Sequence, residues 1–536
     1  MTNMTNYKPE HLGVMIDMSR NSVMNMDSLK RFLTLLKKMG YNTAMLYAED
    51  TYEIEGEPHF GYMRGKYSIE EMQEIDTFAA SIGIEMIPCV QTLAHLATFL
   101  RWRTIPKDTD NILLVDEERT YQFIDRMFST LSKCFRSKKI HIGMDEAHEL
   151  GKGNFLKKHA PEEPYSILSR HLKKVTEIAQ KYGLEPMIWS DMYFRCWNKG
   201  EYYIPKTEIP EEIVEAYPKN VIPVYWDYYH TDIENYKNMF DNHAQLSDKT
   251  WFGGGIWSWS GMIPINTKSL NTMRPALDAC RNKNIRNIFF TMWGDNGGEC
   301  SHFAQLPVLC YLAEYAKGNR DEASIKAKFR RITGIDYDDF MKIDLPNNID
   351  NKPGFVNPSK YLLYSDCFNG FLDGTVIPGI GELYRKYAEE LRLIAKKTRR
   401  YGYLFDSAAK LCDILEYKAE LGIKTRAAYQ AGDKATLKTL AEKDYKEIEK
   451  RLRIFHAAFE KQWFIDNKPH GFDVEDLRLG GSIQRIISCR KRISDYVSEK
   501  ISSIPELTEN ILPYQNVDKG TLNFNNYAQN VTVNVM

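Results

Sequence analysis

Over roughly the first 320 residues, short apolar runs alternate with longer amphipathic stretches, about eight times over. The apolar runs predict strands over 12–17, 43–47, 85–90, 140–144, 185–189, 221–226, 251–257 and 287–293. Between them, apolar positions at helical spacing predict helices, for example over 26–39, 69–82, 118–135, 165–182 and 271–282. Strand and helix in strict alternation imply a parallel sheet, and eight repeats imply its closure into a (β/α)8 barrel of TIM type over residues 1–320. The competing arrangement is an open doubly wound sheet with a phosphate loop. Gly253-Gly254-Gly255 does not support it, because the triplet comes late and lacks the G-x-G-x-x-G spacing.

Beyond residue 320 the texture changes. Residues 321–536 read as a mainly α-helical C-terminal domain, with amphipathic runs at 383–401, 407–431 and 435–464 rich in Ala, Leu, Glu, Lys and Arg. Residues 324–332 also read as a helix, stopped by Gly334, and 346–353 as a connector. Residues 520–536 alternate Val, Asn and Thr, as one strand or a frayed tail would. The stretch 463–481 is aromatic and glycine-marked for a helical region, and is expected to reach toward an active site.

Composition narrows the function. Lys and Arg number 71 against 72 Asp and Glu, so a net charge of −1 offers phosphate backbones and anionic membranes no long-range attraction; neither nucleic acid nor membrane is an expected partner. Nine scattered cysteines without a C-x-x-C pair fit reduced thiols in a cytoplasmic protein. That compartment also fits a start without a basic segment leading into an apolar one, and the absence of any run of about 18 apolar residues. Nine Trp and 32 Tyr can fill a core or line a pocket, and several Trp stand beside acids at strand ends, which suits a sugar.

The sharpest chemistry lies in His141-Ile142-Gly143-Met144-Asp145-Glu146, where an apolar strand ends in two adjacent carboxylates. Neighbouring side chains on a strand face opposite ways, so both acids can enter one pocket only where the strand ends and the backbone turns. The plainer reading is a helix cap followed by a solvated charge. Other predicted strand ends carry Asp17 and Arg20, Glu49 and Asp50, His95, Trp189 and Asp191, Tyr225 and Asp227, Trp257 and Trp259, and Trp293 and Asp295. Packing alone does not account for polar or aromatic groups at all of them.

In this order, Asp17-Met18-Ser19-Arg20, the H-x-G-x-D-E motif at 141–146 and Trp293-Gly294-Asp295 resemble glycoside hydrolase family 20, the β-N-acetylhexosaminidases, over about residues 8–315. The resemblance is to the subgroup whose barrel comes first and whose helical domain follows. It implies an exo-acting, retaining hydrolase of terminal β-linked GlcNAc or GalNAc, in which the substrate's acetamido oxygen is the nucleophile and an oxazolinium forms. Glu146 would be the general acid and base, Asp145 would orient the acetamido group, and Tyr225 of the Y-x-D pattern would hydrogen-bond its oxygen, unless Trp226 is the residue that faces the pocket. Trp189, Trp257 and Trp293 would wall the sugar, Arg20, Asp17, Asp227 and Asp295 would serve its binding, and His95 would sit by the acid. No metal or organic cofactor is implied, and the partner is an oligosaccharide ending in N-acetylhexosamine. Two departures stand out: Ala48-Glu49-Asp50-Thr51-Tyr52 replaces the family's D-D-x-x-G run, and Tyr225 falls on the sixth strand, not the seventh. The alternative function is a barrel without catalysis that binds carbohydrate. The helical domain's amphipathic faces suit packing on the barrel or a homodimer.

Overall fold

The computed structural model describes residues 7–259, 261–349, 357–370 and 372–513. Eight strands, β1 (His11–Asp17), β2 (Thr43–Ala48), β3 (Glu85–Val90), β4 (Lys139–His141), β5 (Glu185–Trp189), β6 (Ile222–Trp226), β7 (Trp251–Gly255) and β8 (Asn287–Met292), pair in parallel and in chain order. β8 returns to β1, with His11 opposite Asn287, and closes the barrel. The expected strand at 140–144 ends early, at His141, because Gly143 and Met144 both take φ +72° and carry the chain off the ladder.

Local signals set the helices. Asn25 accepts a hydrogen bond from the Ser28 amide at the start of helix Met26–Met39, and Gly40 at φ +106° ends it; Leu29, Phe32, Leu33, Leu36 and Met39 make its buried face. Ser68 and Glu71 form a reciprocal capping box at the start of helix Ile69–Ser81.

Alternation along each strand decides what fills the barrel. Odd-numbered residues of β1 to β5 and of β7 and β8 point inward: Cys89 meets Met15 across the interior, His11 stacks on Trp251 (4.8 Å), and Trp189 packs on His141 (4.4 Å) and Phe289 (5.7 Å). On β6 the parity reverses. Tyr225 lies opposite Phe252 and packs outward on Phe240 and His243 of helix Ile233–Leu246. The glycine triplet of β7 is a packing device. A Cβ on Gly253 would lie 3.0 Å from Trp189, one on Gly254 2.5 Å from Met273, and one on Gly255 2.5 Å from the Tyr228 ring.

The chain divides into two compact units, the first comprising 1–257, 268–293 and 308–332 and the second 258–267, 294–307 and 333–536. Helix Glu322–Thr333 thus falls almost wholly in the first, with Gly334 at φ +81° after it. Within the second unit, the expected helix over 407–431 is two, Gly402–Lys418 and Leu421–Gln430. The one over 435–464 is Lys434–Thr439, a π turn and Tyr445–Asp466. Gly480 and Gly481 lie inside helix Phe472–Val497, so the stretch 463–481 is largely helical and its glycines mark no break. The expected connector 346–353 begins inside a 3-10 turn, Lys342–Asn347, while 350–353 and the tail 520–536 lie outside the described residues. All nine cysteines are free thiols, and no described helix is long and apolar enough to cross a membrane.

A buried charge cluster organises the second unit. Lys360 meets Glu299 at 2.6 Å with side chains 0% and 1% exposed, and Arg478 bridges Glu299 (2.8 Å) and Glu475 (3.2 Å). Lys360 and Arg478 both donate to the Asn296 carbonyl, at 3.1 and 2.8 Å. Removing one partner of such a cluster strands a charge away from water, so Lys360→Met should cost about 3 kcal/mol or more, read as a lowered thermal midpoint. A loss under about 0.5 kcal/mol would mean that no charge is left stranded there.

Candidate active site

The pocket lies at the carboxyl ends of the strands, and its centre is Asp145. After β4 the backbone takes left-handed conformations at Gly143 (φ +72°), Met144 (φ +72°) and Glu146 (φ +50°). Bulky residues seldom adopt these, so the surroundings must hold them there. His141, pushed down to about 3 by burial and hence neutral, accepts from the Gly143 amide at Nδ1 (3.2 Å). Gln91 accepts from the Met144 amide (3.2 Å) through its side-chain oxygen and donates to Asp145 (2.8 Å) and Tyr47 (2.9 Å) through its nitrogen. Only glycine fits at 143, where a Cβ would lie 2.0 Å from the Gln91 amide oxygen. The turn puts both acids beside His95, whose Nε2 lies 3.2 Å from Asp145 and 3.7 Å from Glu146.

The two acids differ in setting. Asp145 is 12% exposed at its side chain, Glu146 45%. Burial raises Asp145, but the His95 charge and hydrogen bond, with Gln91, outweigh it and hold the carboxyl below its usual range. For His95, burial acts downward and is overcome by Asp145 and Glu49, so its pKa rises to about 9. Ligand atoms of His95, Asp145 and Glu146 lie within 4.8 Å of one another, a spacing open to a metal that would have to displace the His95 proton to reach its lone pair.

Arg20 forms the opposite wall. It bonds Asp17 (2.7 Å), approaches Glu49 (3.3 Å), and lies over Tyr47 (5.0 Å) and Trp293 (5.1 Å), while Asp17 also takes the Ser19 amide and hydroxyl. Asp17 is therefore a buried anchor of Arg20. Glu49, pushed up to about 7 by burial against the pull of Arg20 and His95, belongs to the same network. Trp293 meets Tyr47 edge-on at 4.7 Å, and Trp189, 1% exposed, forms the floor beneath it at 6.1 Å.

Several sequence expectations are corrected here. Tyr225 is not in the pocket: it lies on the outward face of β6, fully buried, and its hydroxyl donates to Asp227 (2.7 Å). Asp227 is likewise outside, locking the turn that follows by accepting from the Tyr229 and His230 amides and the His230 ring. Tyr228, three residues on, is the tyrosine that lies near the acids. Its ring stacks on Trp226 (5.3 Å, 19°), it hydrogen-bonds Trp293, and its phenol feels the charges of Asp145 and Glu146. Trp257 supports that segment, its indole donating to the Tyr228 carbonyl (2.9 Å). Asp295 falls in the second compact unit.

Gln91 and Tyr228 were missed as site residues, and Asp191, read at its strand end, was given no role there. Asp191 accepts from the Glu146 amide (3.1 Å), with the Trp226 indole (3.4 Å) and Arg195 (3.4 Å) on its oxygens; burial and then the Asp145 charge raise its pKa. Gln91 follows Cys89 by two positions and Asp191 follows Trp189 by two, so strand alternation carried both signals.

The model of the glycosyl hydrolase family 20 catalytic domain matches residues 10–238, and that of the glycoside hydrolase 20C C-terminal domain matches 338–525. Hexosaminidase D of Bos taurus is 26% identical over 247 residues, 43% of this chain and 65% of its own; the Homo sapiens protein of that name is 25% identical over 221 residues, 37% and 41%. The chain thus spans less than two thirds of these relatives' length. Among solved structures, a family 20 exo-β-N-acetylglucosaminidase from Vibrio harveyi in complex with N-acetylglucosamine is 16% identical with a TM-score of 0.46, covering 60% of this chain and 57% of that one. The family 20 β-N-acetylhexosaminidase of Streptomyces coelicolor is 19% identical with a TM-score of 0.45, covering 61% and 70%.

The His95–Asp145 pair makes stability depend on pH. A histidine raised in the folded state stabilises fully below its unfolded value of about 6.5, and that contribution fades as pH climbs toward about 9. The lowered Asp145 loses its share only in acid, below the usual carboxylate range. The thermal midpoint of the wild type should therefore exceed that of His95→Gln most near pH 5–6, and the gap should narrow by about pH 9. A gap constant up to pH 9 would mean the His95 proton is not involved.

Proposed function

Because the chain belongs to glycoside hydrolase family 20, we propose that it is an exo-acting β-N-acetylhexosaminidase that releases terminal β-linked GlcNAc or GalNAc with retention, the substrate's own acetamido group acting as nucleophile. One observation carries the reading: adjacent carboxylates share a pocket but not an environment, Asp145 buried and clamped by Gln91 and His95, Glu146 half exposed. Two acids so close leave no room for a nucleophile and an acid on opposite faces of a sugar, whereas an internal nucleophile needs neither to attack.

In the first step the acetamido oxygen bonds to the anomeric carbon as the glycosidic C–O bond breaks, and Glu146 gives its proton to the departing oxygen. Asp145, kept ionised by its partners, accepts the amide N–H and stabilises the positive charge that grows on the oxazolinium ring. One of its oxygens accepts from Gln91 and the other faces the His95 Nε2 at 3.2 Å, which leaves lone pairs for this. Glu146 then takes a proton from water as the water attacks the anomeric carbon and the ring reopens. Arg20 suits the ring hydroxyls, being held by Asp17 and Glu49, and Tyr228 suits the acetamido oxygen.

The direct test compares an aryl β-N-acetylglucosaminide with the matching β-glucoside, each with and without a thiazoline mimic of the oxazoline. Cleavage of the N-acetyl sugar alone, blocked by the mimic, is expected; equal cleavage of the glucoside would overturn substrate assistance. Asp145→Asn should lose about 10²–10³-fold in kcat on every N-acetyl substrate, and turnover near wild type would remove its assigned role. Glu146→Gln should lose far more on sugar or alkyl leaving groups than on a dinitrophenyl one, since good leaving groups need little protonation. The same loss on both would rule out the general acid.

A further inference from the structure

Two loops that start at the pocket also carry exposed aromatic surface. The loop after β2 begins at Glu49 and presents Tyr62 (49% exposed) and Met63 (70%), and the loop after β3 carries His95 and presents Trp102 (41%). Tyr62 and Trp102 meet edge to face at 5.5 Å, and the His59 ring lies 5.6 Å from Trp102. Isolated exposed apolar residues are ordinary, but interlocked ones on a rigid base are not.

The base is well built. Phe60, fully buried between Tyr62 and His59, packs on Tyr52 (5.0 Å), Phe99 (4.9 Å) and Phe123 (5.6 Å). Arg64 ties the loop to the pocket wall through Asp50 (3.3 Å), Asn21 (3.0 Å) and the Ser19 carbonyl, immediate neighbours of Glu49 and Arg20. Gly61, at φ +65°, lets the backbone approach so closely that a Cβ would lie 2.1 Å from the Asp50 carbonyl. Trp102 is seven residues from His95, joined through the short helix Ala97–Leu100.

We propose that Tyr62 and Trp102 form a stacking platform for the sugar on the leaving-group side of the scissile bond, and so set a preference for a pyranose aglycone over a small alkyl one. The inference rests on the hexosaminidase reading. A pyranose offers apolar C–H faces edged with hydroxyls, and the platform offers aromatic rings edged by the polar His59, Arg101 and Arg103, all exposed. Contact with this non-reacting sugar supplies binding energy that an enzyme can use in the transition state.

The test uses, from a panel of GlcNAc disaccharides with different β linkages, the one the wild type cleaves fastest, alongside the methyl β-glycoside, which has nothing to stack. Trp102→Ala and Tyr62→Ala should each lose about tenfold more in kcat/KM on the disaccharide than on the methyl glycoside, and Trp102→Phe should recover most of it. Equal losses on the two substrates, or none on the disaccharide, would overturn the platform while leaving the hexosaminidase reading intact. A wild type that cleaves neither would overturn that reading, and the platform with it.

Discussion

The Asp145 carboxylate, ionised in a setting that excludes most water, is what the rest of the pocket is arranged around. A buried charge without partners costs several kcal/mol, so its two clamps must be in place whenever the protein is folded. One of them, Gln91, also holds the Met144 amide and Tyr47; the other, His95, is within reach of Glu146 and feels Glu49. Glu49 and Arg20 continue the chain of charge to Asp17. Arg20 thereby neutralises acids that would otherwise repel one another, and it lies on the aromatic faces of Tyr47 and Trp293. The pocket is thus pre-organised by alternating charges, with little that must rearrange when a substrate enters.

Backbone geometry and electrostatics are two sides of one arrangement here. The left-handed residues at 143, 144 and 146 are what turn consecutive side chains into one pocket, and each is held by a different donor or acceptor: His141 at the Gly143 amide, Gln91 at the Met144 amide, Asp191 at the Glu146 amide. Remove the one at Met144 or Glu146 and a strained conformation loses its support along with a hydrogen bond.

Much of this was legible in the chain. Strand positions came from apolar runs with sharp ends, and 85–90 and 185–189 match β3 and β5 residue for residue. The acid pair was readable because two adjacent carboxylates at a strand end are chemically conspicuous. Tyr225 was misplaced for a physical reason: one step along a strand turns a side chain through to the other face, so a pattern of residue types says nothing of facing until register is known. Pairing of Tyr225 with the outward Phe252 settles it. The support given by Gln91 was hidden because its signal, a place two residues beyond the inward Cys89, is readable only once the strand's facing is known, and the break of 407–431 into two helices because the amphipathic pattern continues across the bend at 419–420.

The glycine triplet of β7 makes that strand a wall one peptide thick. Elsewhere the barrel separates its interior from the helix layer with side chains that can shift rotamers and absorb a push; here Trp189 and Tyr228 press on one side of bare backbone and Met273 on the other. Close-packed interiors transmit displacement where nothing compliant intervenes. Helix Asn266–Asn282, which carries Met273, is therefore mechanically in series with the floor of the pocket and with Tyr228. A change in how that helix seats, made far from any acid, would reach the pocket through the thinnest part of the barrel.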